Sequence, residues 1–325
     1  MTSEKIRVGV MRGGPGNEYE VSLRTGAAVL QNIPRDSFEP FDIFIDRAGV
    51  WNMEGAARSP RAILHNADVV FNALHGEWGE DGGAQEMMDA LGARYTGSGA
   101  MASRRAMQKA LAKTMLVAHG IKTPVWRVVH SSDGDTKNIS AELYRSFPQP
   151  SVIKPLSSGS SVGVSIARNA GELANSLASA FSISDFALIE EYITGKEATV
   201  GVINGFREER LYSLLPIEIV PPQNAAFFDY DAKYGGKTEE ICPGRFSKEE
   251  ADELRGLAAA AHDILGMRHY SRSDFIIHPK RGIYFLETNS LPGLTNESLV
   301  PKALRAVGAD LPEFLSHIII RALKD

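Results

Sequence analysis

Near its start the chain reads Ile6-Arg7-Val8-Gly9-Val10-Met11, turns through Gly13-Gly14-Pro15-Gly16 and continues from Glu18 into residues 18–33. The first segment is a short apolar strand. After the glycine-rich turn, Val21, Ala28 and Leu30 are spaced as on the apolar side of a helix. Residues 41–45 read as a second strand, and 69–74 as a third that runs into the glycine-rich stretch 75–83. Strands alternating with helices predict an α/β fold with a mostly parallel sheet and helices on its faces. This first unit ends near Tyr95-Thr96-Gly97-Ser98-Gly99.

Beyond it, a helix is expected over 102–118, then strands over 151–154 and 162–166 around a loop, a helix over 171–181 and a strand over 186–193. That is a small α+β unit. From Gly195 onward, 198–203 and 211–219 suggest a hairpin around Asn204-Gly205, a strong turn dipeptide. Residues 221–243 form a loop of about twenty residues without apolar periodicity, a length that usually carries function or is disordered. Ser247 with Glu250 makes a capping box for a helix reaching about Leu265. A hairpin over 275–286 and a closing helix over 311–323 complete the chain. The expected division is 1–100, 101–194 and 195–325.

The 325 residues, 43% hydrophobic and 23% charged, suffice for two or three domains. The 35 basic and 40 acidic residues leave a net charge of -5, with no basic excess to attract nucleic acid. Cys242 is the one cysteine, so no intramolecular disulfide is available, which fits a reducing compartment. Glu4, Lys5, Arg7 and Arg12 interrupt the first thirty residues, so no signal peptide is expected. No stretch reaches the ~18 apolar residues of a membrane span. The expectation is a cytoplasmic protein that acts on small molecules, not on nucleic acid or membranes.

Asp274 closes a Ser-Arg-Ser-Asp run, and thirteen residues later Glu287 and Asn289 occur in Glu-Thr-Asn. In a hairpin, Asp274 and Glu287 would face each other, and Asn289 would share their face because side chains alternate along a strand. Two carboxylates and an amide oxygen make a hard, all-oxygen site of the kind magnesium takes beside phosphates, or simply a solvated strand face. Arg272 lies on the same face. It is either a surface ion-pair partner or a cation that stabilises developing negative charge. Gly293, in Leu291-Pro292-Gly293-Leu294-Thr295, would let backbone N–H groups approach an oxyanion.

Lys154-Pro155 precedes Leu156-Ser157-Ser158-Gly159-Ser160-Ser161-Val162-Gly163. A strand lysine beside a Gly/Ser loop supplies a point charge and flexible donors for phosphates, although a plain surface turn has the same composition. Glu190-Glu191-Tyr192-Ile193, with Glu197 after it, is a strand end that suits an adenine and ribose, or ends in solvated acids. Glu18 either caps its helix or holds a substrate ammonium. His75 stands at a strand end of the same sheet, where open α/β sheets bind ligands. Lys233-Tyr234 in the long loop suits a lid that excludes water.

The order and wording of these motifs resemble the D-alanine–D-alanine ligase family of the ATP-grasp superfamily. The matching strings are Gly13-Gly14 with Glu18 and Glu20-Val21-Ser22-Leu23; Ala73-Leu74-His75-Gly76 with Gly79-Glu80-Asp81-Gly82; and Tyr95 to Gly99. They continue through Lys154-Pro155, Gly159 to Gly163, Tyr230 to Tyr234, Arg272 with Asp274, Glu287 to Asn289, Pro292-Gly293 and Ser298-Leu299-Val300-Pro301. The resemblance runs from about Ile6 to the C-terminal residues. It implies a three-domain ATP-grasp architecture with an N-terminal Rossmann-like, pre-ATP-grasp domain. It implies that Lys109, Lys154, Ser161, Glu190, Glu191, Ile193 and Glu197 bind ATP and that Lys233 contacts its phosphates. Asp274, Glu287 and Asn289 would hold two magnesium ions, with manganese able to substitute. Glu18 would take the first D-alanine's ammonium, with Ser160 and Tyr234 bonding to Glu18 to lock the lid. Arg272 and the Gly293 backbone would form the oxyanion site, and Ser298 and Leu299 would receive the second carboxylate. A homodimer is also implied. The wording departs at Gly16, Tyr19, Ser158 and Ser273, changes that leave these chemical groups in place, and Tyr234 favours a dipeptide product over an ester.

The expected chemistry is activation of one D-alanine as an acyl phosphate and its capture by the amine of a second, a step in making peptidoglycan precursors. Two alternatives stand beside it: a ligase for another amino or hydroxy acid pair, and a nucleotide-binding relative without chemistry. A hydride-transferring dinucleotide enzyme lacks support, because Arg12-Gly13-Gly14-Pro15-Gly16 lacks the third glycine of that fingerprint.

Overall fold

The structure, a computed structural model, describes residues 5–156, 163–221 and 238–325. These residues build three sheets. In the first, β1 (Ile6–Gly13) lies between β2 (Phe38–Ile45) and β5 (Val69–Asn72), parallel to both. The short β3 (Trp51–Met53) and β4 (Ala56–Ala57) extend the sheet antiparallel at one edge. Val8, Val10, Val69 and Phe71 are buried on one face and Met11, Ile43 and Val70 on the other, as in strands covered on both faces. The chain leaves β1 at Gly13 with φ +91°, and a Cβ there would lie 2.0 Å from the Ile45 carbonyl oxygen. Only glycine fits that turn, which delivers the chain into the helix Tyr19–Asn32.

The second sheet contains β6 (Trp126–His130), β7 (Ser151–Pro155), β8 (Ser165–Ala167) and β9 (Phe186–Glu191), in the antiparallel order β6-β9-β7-β8. Leu143 of the helix Thr136–Ser146 and Leu173 and Leu177 of the helix Ala170–Phe181 pack against Ile153 and Ile189 on one face. The third sheet contains β10 (Lys196–Asn204), β11 (Leu211–Ser213), β12 (Ile217–Val220), β13 (Glu239–Ile241), β14 (Tyr270–His278) and β15 (Gly282–Asn289). Its order is β13-β12-β10-β14-β15, with β11 paired to the end of β10. The helices Leu299–Ala306 and Leu311–Ala322 return to the first sheet, so Leu304, Phe314 and Ile318 share a core with Val8, Val29 and Phe71. The first and third sheets are thereby fixed to one body.

Several local expectations change. The stretch 102–118 is two helices, Ala100–Met107 and Lys109–Ala118, separated at Gln108, whose ψ of 86° is not helical. Both helices pack against residues of the third unit, Ala102, Ala106 and Ala112 meeting Leu265 and Met267. The strand expected over 211–219 divides into β11 and β12 around Pro216, which has no N–H to continue a ladder. The strand β6 and the helices Gly83–Ala90, Thr136–Ser146 and Leu299–Ala306 are additional to the expected elements. The capping box holds: Ser247 Oγ accepts from Glu250 N at 3.1 Å, and Glu250 Oε2 accepts from Ser247 N at 2.9 Å.

Candidate active site

The hairpin β14–β15 sets Arg272 opposite Asn289 and Asp274 opposite Glu287. Strand alternation brings all four side chains to one face of the third sheet. Arg272 Nε and Nη2 donate to Asp274 Oδ1 and Oδ2 at 3.0 and 3.1 Å. Thr199 Oγ1, from the neighbouring β10, donates to the same Oδ1 at 2.6 Å. Burial opposes the charge on Arg272, but Asp274, then Glu287 and Glu80, outweigh it and raise the guanidinium's pKa. Lys109 Nζ lies 3.9 Å from Glu287 Oε2. Asn289 Oδ1 accepts from Leu291 N at 2.9 Å, which orients the amide. Two carboxylates and an amide oxygen on one face match the all-oxygen preference of magnesium, so the donor chemistry fits that ion.

Beside this face is a cavity of ≈ 240 Å³ lined by Lys109, Lys154, Glu190, Glu191, Ile193, Glu197, Arg272, Asp274 and Glu287. Glu190 is its electrostatic centre. Lys154 Nζ lies 2.5 Å from Glu190 Oε2, and Lys113 Nζ lies 2.6 Å from Oε1. Burial would raise the Glu190 pKa, but the charges and hydrogen bonds of Lys113 and Lys154 overcome it and hold the carboxyl at about 2. Lys154 is raised, burial being outweighed by Glu190 and Glu287. Lys113 is lowered, chiefly by burial, with Glu190 opposing. Glu191 is engaged across the cleft: Arg281, at the β14–β15 turn, donates to both its oxygens at 2.6 and 3.2 Å.

A second cavity, of ≈ 710 Å³, opens on the other side and is lined by Glu18, Thr25, His75, Glu80, Gly293, Ser298 and Lys302. Lys109, Arg272, Glu287 and Leu299 line both cavities, so ligands in the two spaces would meet beside the hairpin. Glu18, His75 and Glu80 each offer an acceptor atom within 4.8 Å of the others, an arrangement suited to a cation such as an ammonium. Glu18 occupies the cap position of the helix Tyr19–Asn32, and its side chain makes no capping hydrogen bond. His75 Nε2 lies 2.8 Å from Thr25 Oγ1. Glu80 accepts from Gly76 N at 2.7 Å and from Leu291 N at 3.3 Å, tying the first sheet to the segment after β15. A Cβ on Gly293 would lie 3.0 Å from Ser298 Oγ, which itself accepts from Thr295 N at 3.1 Å.

The described site residues of the sequence reading thus gather around these two cavities. Ser160, Ser161, Lys233 and Tyr234 lie outside the described residues. Three contributors were missed. Lys113 had a signal, a lysine four residues after Lys109 on one helix. Glu80 stood in a quoted string without a role. Thr199 had none, since only pairing of β10 with β14 brings it to Asp274.

Two family models match the chain: residues 115–320 match the D-ala D-ala ligase C-terminus, and residues 52–98 match the D-ala D-ala ligase N-terminus. The D-alanine–D-alanine ligase of Geobacter sulfurreducens is 37% identical over 328 residues, covering 99% of this chain and 96% of its own length. The solved structure of the D-alanine–D-alanine ligase from Coxiella burnetii is similar with a TM-score of 0.85 at 25% identity, covering 99% of this chain and 95% of that one. The Bacillus anthracis D-alanine–D-alanine ligase complexed with ATP gives a TM-score of 0.80 at 29% identity, covering 99% and 98%.

Proposed function

From the premise that this chain belongs to the D-alanine–D-alanine ligase family, we propose that it joins two D-alanine molecules into D-alanyl-D-alanine, with ATP as the activating reagent and a D-alanyl phosphate as intermediate. The product serves peptidoglycan precursor synthesis. The wall of Arg272 and Glu287 common to both cavities is the observation that carries this reading. It lets a carboxylate bound on one side reach a phosphate bound on the other.

The first D-alanine binds in the larger cavity, with its ammonium among Glu18, His75 and Glu80. Its carboxylate oxygen attacks the γ-phosphate of ATP, a P–O bond forms and ADP departs. Lys154, Lys233 and Arg272 offset the charge of that transfer. Lys109, Ser161, Glu190, Glu191, Ile193 and Glu197 hold the nucleotide in the smaller cavity. Two magnesium ions held by Asp274, Glu287 and Asn289, with manganese able to substitute, neutralise phosphate charge when bound. The second D-alanine places its carboxylate at Ser298 and Leu299, and its neutral amine attacks the acyl carbon. The oxyanion forms at Arg272 and the Gly293 backbone, then collapses as phosphate leaves. Water would hydrolyse the acyl phosphate, so Ser160 and Tyr234 bond to Glu18 and close the site.

The division into 1–100, 101–194 and 195–325, a homodimeric assembly and a cytoplasmic location belong to the same proposal. Among the described residues, no helix is long and apolar enough to cross a membrane.

The test is ADP release with ATP and magnesium, using D-alanine, L-alanine, or D-alanine with D-lactate or D-serine, with products identified by mass. ADP release with D-alanine alone and a D-alanyl-D-alanine product supports the proposal. Silence with D-alanine but turnover with another acid keeps the mechanism and replaces the substrate. Tight ATP binding without ADP from any pair marks a relative without chemistry.

A further inference from the structure

We propose that Lys113 is a positioning residue for ATP: by taking one carboxylate oxygen of Glu190, it leaves Lys154 anchored on the other oxygen with net positive charge facing the nucleotide cavity. The inference rests on reading the smaller cavity as the ATP site.

Lys113 is fully buried on the helix Lys109–Ala118 and lines neither cavity. Its Nζ donates to Thr123 Oγ1 at 2.5 Å and lies 2.6 Å from Glu190 Oε1. It follows Lys109 by four residues, so one helix face sends one cation toward Glu287 and another toward Glu190. Glu190 therefore has an ammonium beside each carboxylate oxygen, Lys113 Nζ at 2.6 Å from Oε1 and Lys154 Nζ at 2.5 Å from Oε2.

The charge count explains why a second lysine is present. Glu190 and Lys154 alone would form a neutral buried pair that satisfies the carboxylate. Adding Lys113 buries a further ammonium, which costs desolvation and is a poor device for stability. What it changes is the field: with both lysines protonated, Lys113, Glu190 and Lys154 together carry one net positive charge, set against the carboxylates of Glu197 and Glu287 in a cavity that receives a polyanion. In a dry interior that charge is little screened by salt. A purely structural lysine would act differently, because its loss would weaken every ligand of the cavity alike.

The experiment compares dissociation constants of ATP and adenosine for the full chain, Lys113→Met and Lys113→Arg. Lys113→Met should weaken ATP by at least about tenfold and adenosine by less than about threefold, since only the phosphates sense the missing charge. Lys113→Arg keeps a permanent cation and should recover most of the ATP affinity. Unchanged ATP affinity in Lys113→Met, or ATP and adenosine weakened in step, overturns the proposal. Should Lys113→Met fail to fold, Lys113→Gln decides, since it keeps a donor and removes the charge: weaker ATP with unchanged adenosine supports the proposal, and unchanged ATP affinity refutes it. If the unsubstituted protein binds no ATP, the reading of the cavity fails, not the role of Lys113 within it.

Discussion

Asp274 stands directly opposite Glu287 across the antiparallel pair β14–β15. Thr199 and Arg272 both donate to Asp274, while Lys109 lies 3.9 Å from Glu287. Asp274 is thus held in place by three donated hydrogen bonds, and Glu287 faces it with a lysine nearby. Glu287→Gln keeps the shape and removes the charge. ADP release should fall by at least about a hundredfold, and the magnesium concentration for half-maximal rate should rise. An unaltered magnesium dependence would take Glu287 out of the metal-binding set.

Arg272, like Lys109, lines both cavities, and its guanidinium donates two hydrogen bonds to Asp274. A donor aimed at a developing oxyanion is worth about 10²–10³ in turnover. Arg272→Ala should lose at least that much while its thermal unfolding remains cooperative. Turnover close to that of the unsubstituted protein would remove Arg272 from the mechanism.

The carboxylate face of the hairpin was legible because it depends on local rules alone. Alternation along a strand puts Arg272 with Asp274 and Glu287 with Asn289, and a short turn fixes which pairs meet. The first strand, turn and helix were legible for the same reason. The Lys113–Glu190–Lys154 cluster was not, because its members come from a helix and two strands whose contacts no periodicity specifies. The break at Gln108 was also hidden, since residues 102–118 are good helix formers and tertiary packing overrides propensity there. Glu80 and Leu291 join units far apart in the chain, and nothing local announces that bond.

Gly13 and Gly14 are adjacent and both have positive φ, +91° and +98°, yet they should respond unequally to substitution. At Gly13 a methyl group would strike the Ile45 carbonyl oxygen at 2.0 Å, whereas at Gly14 the nearest atom is Leu74 Cδ2 at 3.4 Å. Gly14→Ala should cost about 1 kcal/mol from its backbone alone, and Gly13→Ala more than about 2 kcal/mol because strand β2 must also move. Denaturant unfolding of the two variants measures the difference. Equal losses would show that the close approach to Ile45 is not what constrains the turn.

Acid sensitivity should come first from two buried histidines. His262 lies 2.7 Å from both Ser271 Oγ and Asn204 Oδ1. His269 accepts from Gly97 N at 2.9 Å and faces Asp325 Oδ2 at 2.7 Å, so its proton sits on Nε2. Burial pushes each down from 6.5 to about 4. Between those values the unfolded chain binds protons that the folded chain refuses. Stability is therefore complete above pH 6.5 and falls as pH drops towards about 4. Each histidine contributes at most about 1.4 kcal/mol per pH unit in that window. Glu190, held at about 2, withdraws its contribution only below its ordinary 4.5, and so stays out of most of the range. Urea unfolding of His262→Gln at neutral pH and at about pH 5 should show a smaller histidine-linked loss than the unsubstituted protein, with His269 and His317 still lowered by burial. The same loss in both would mean that other groups set the acid limit.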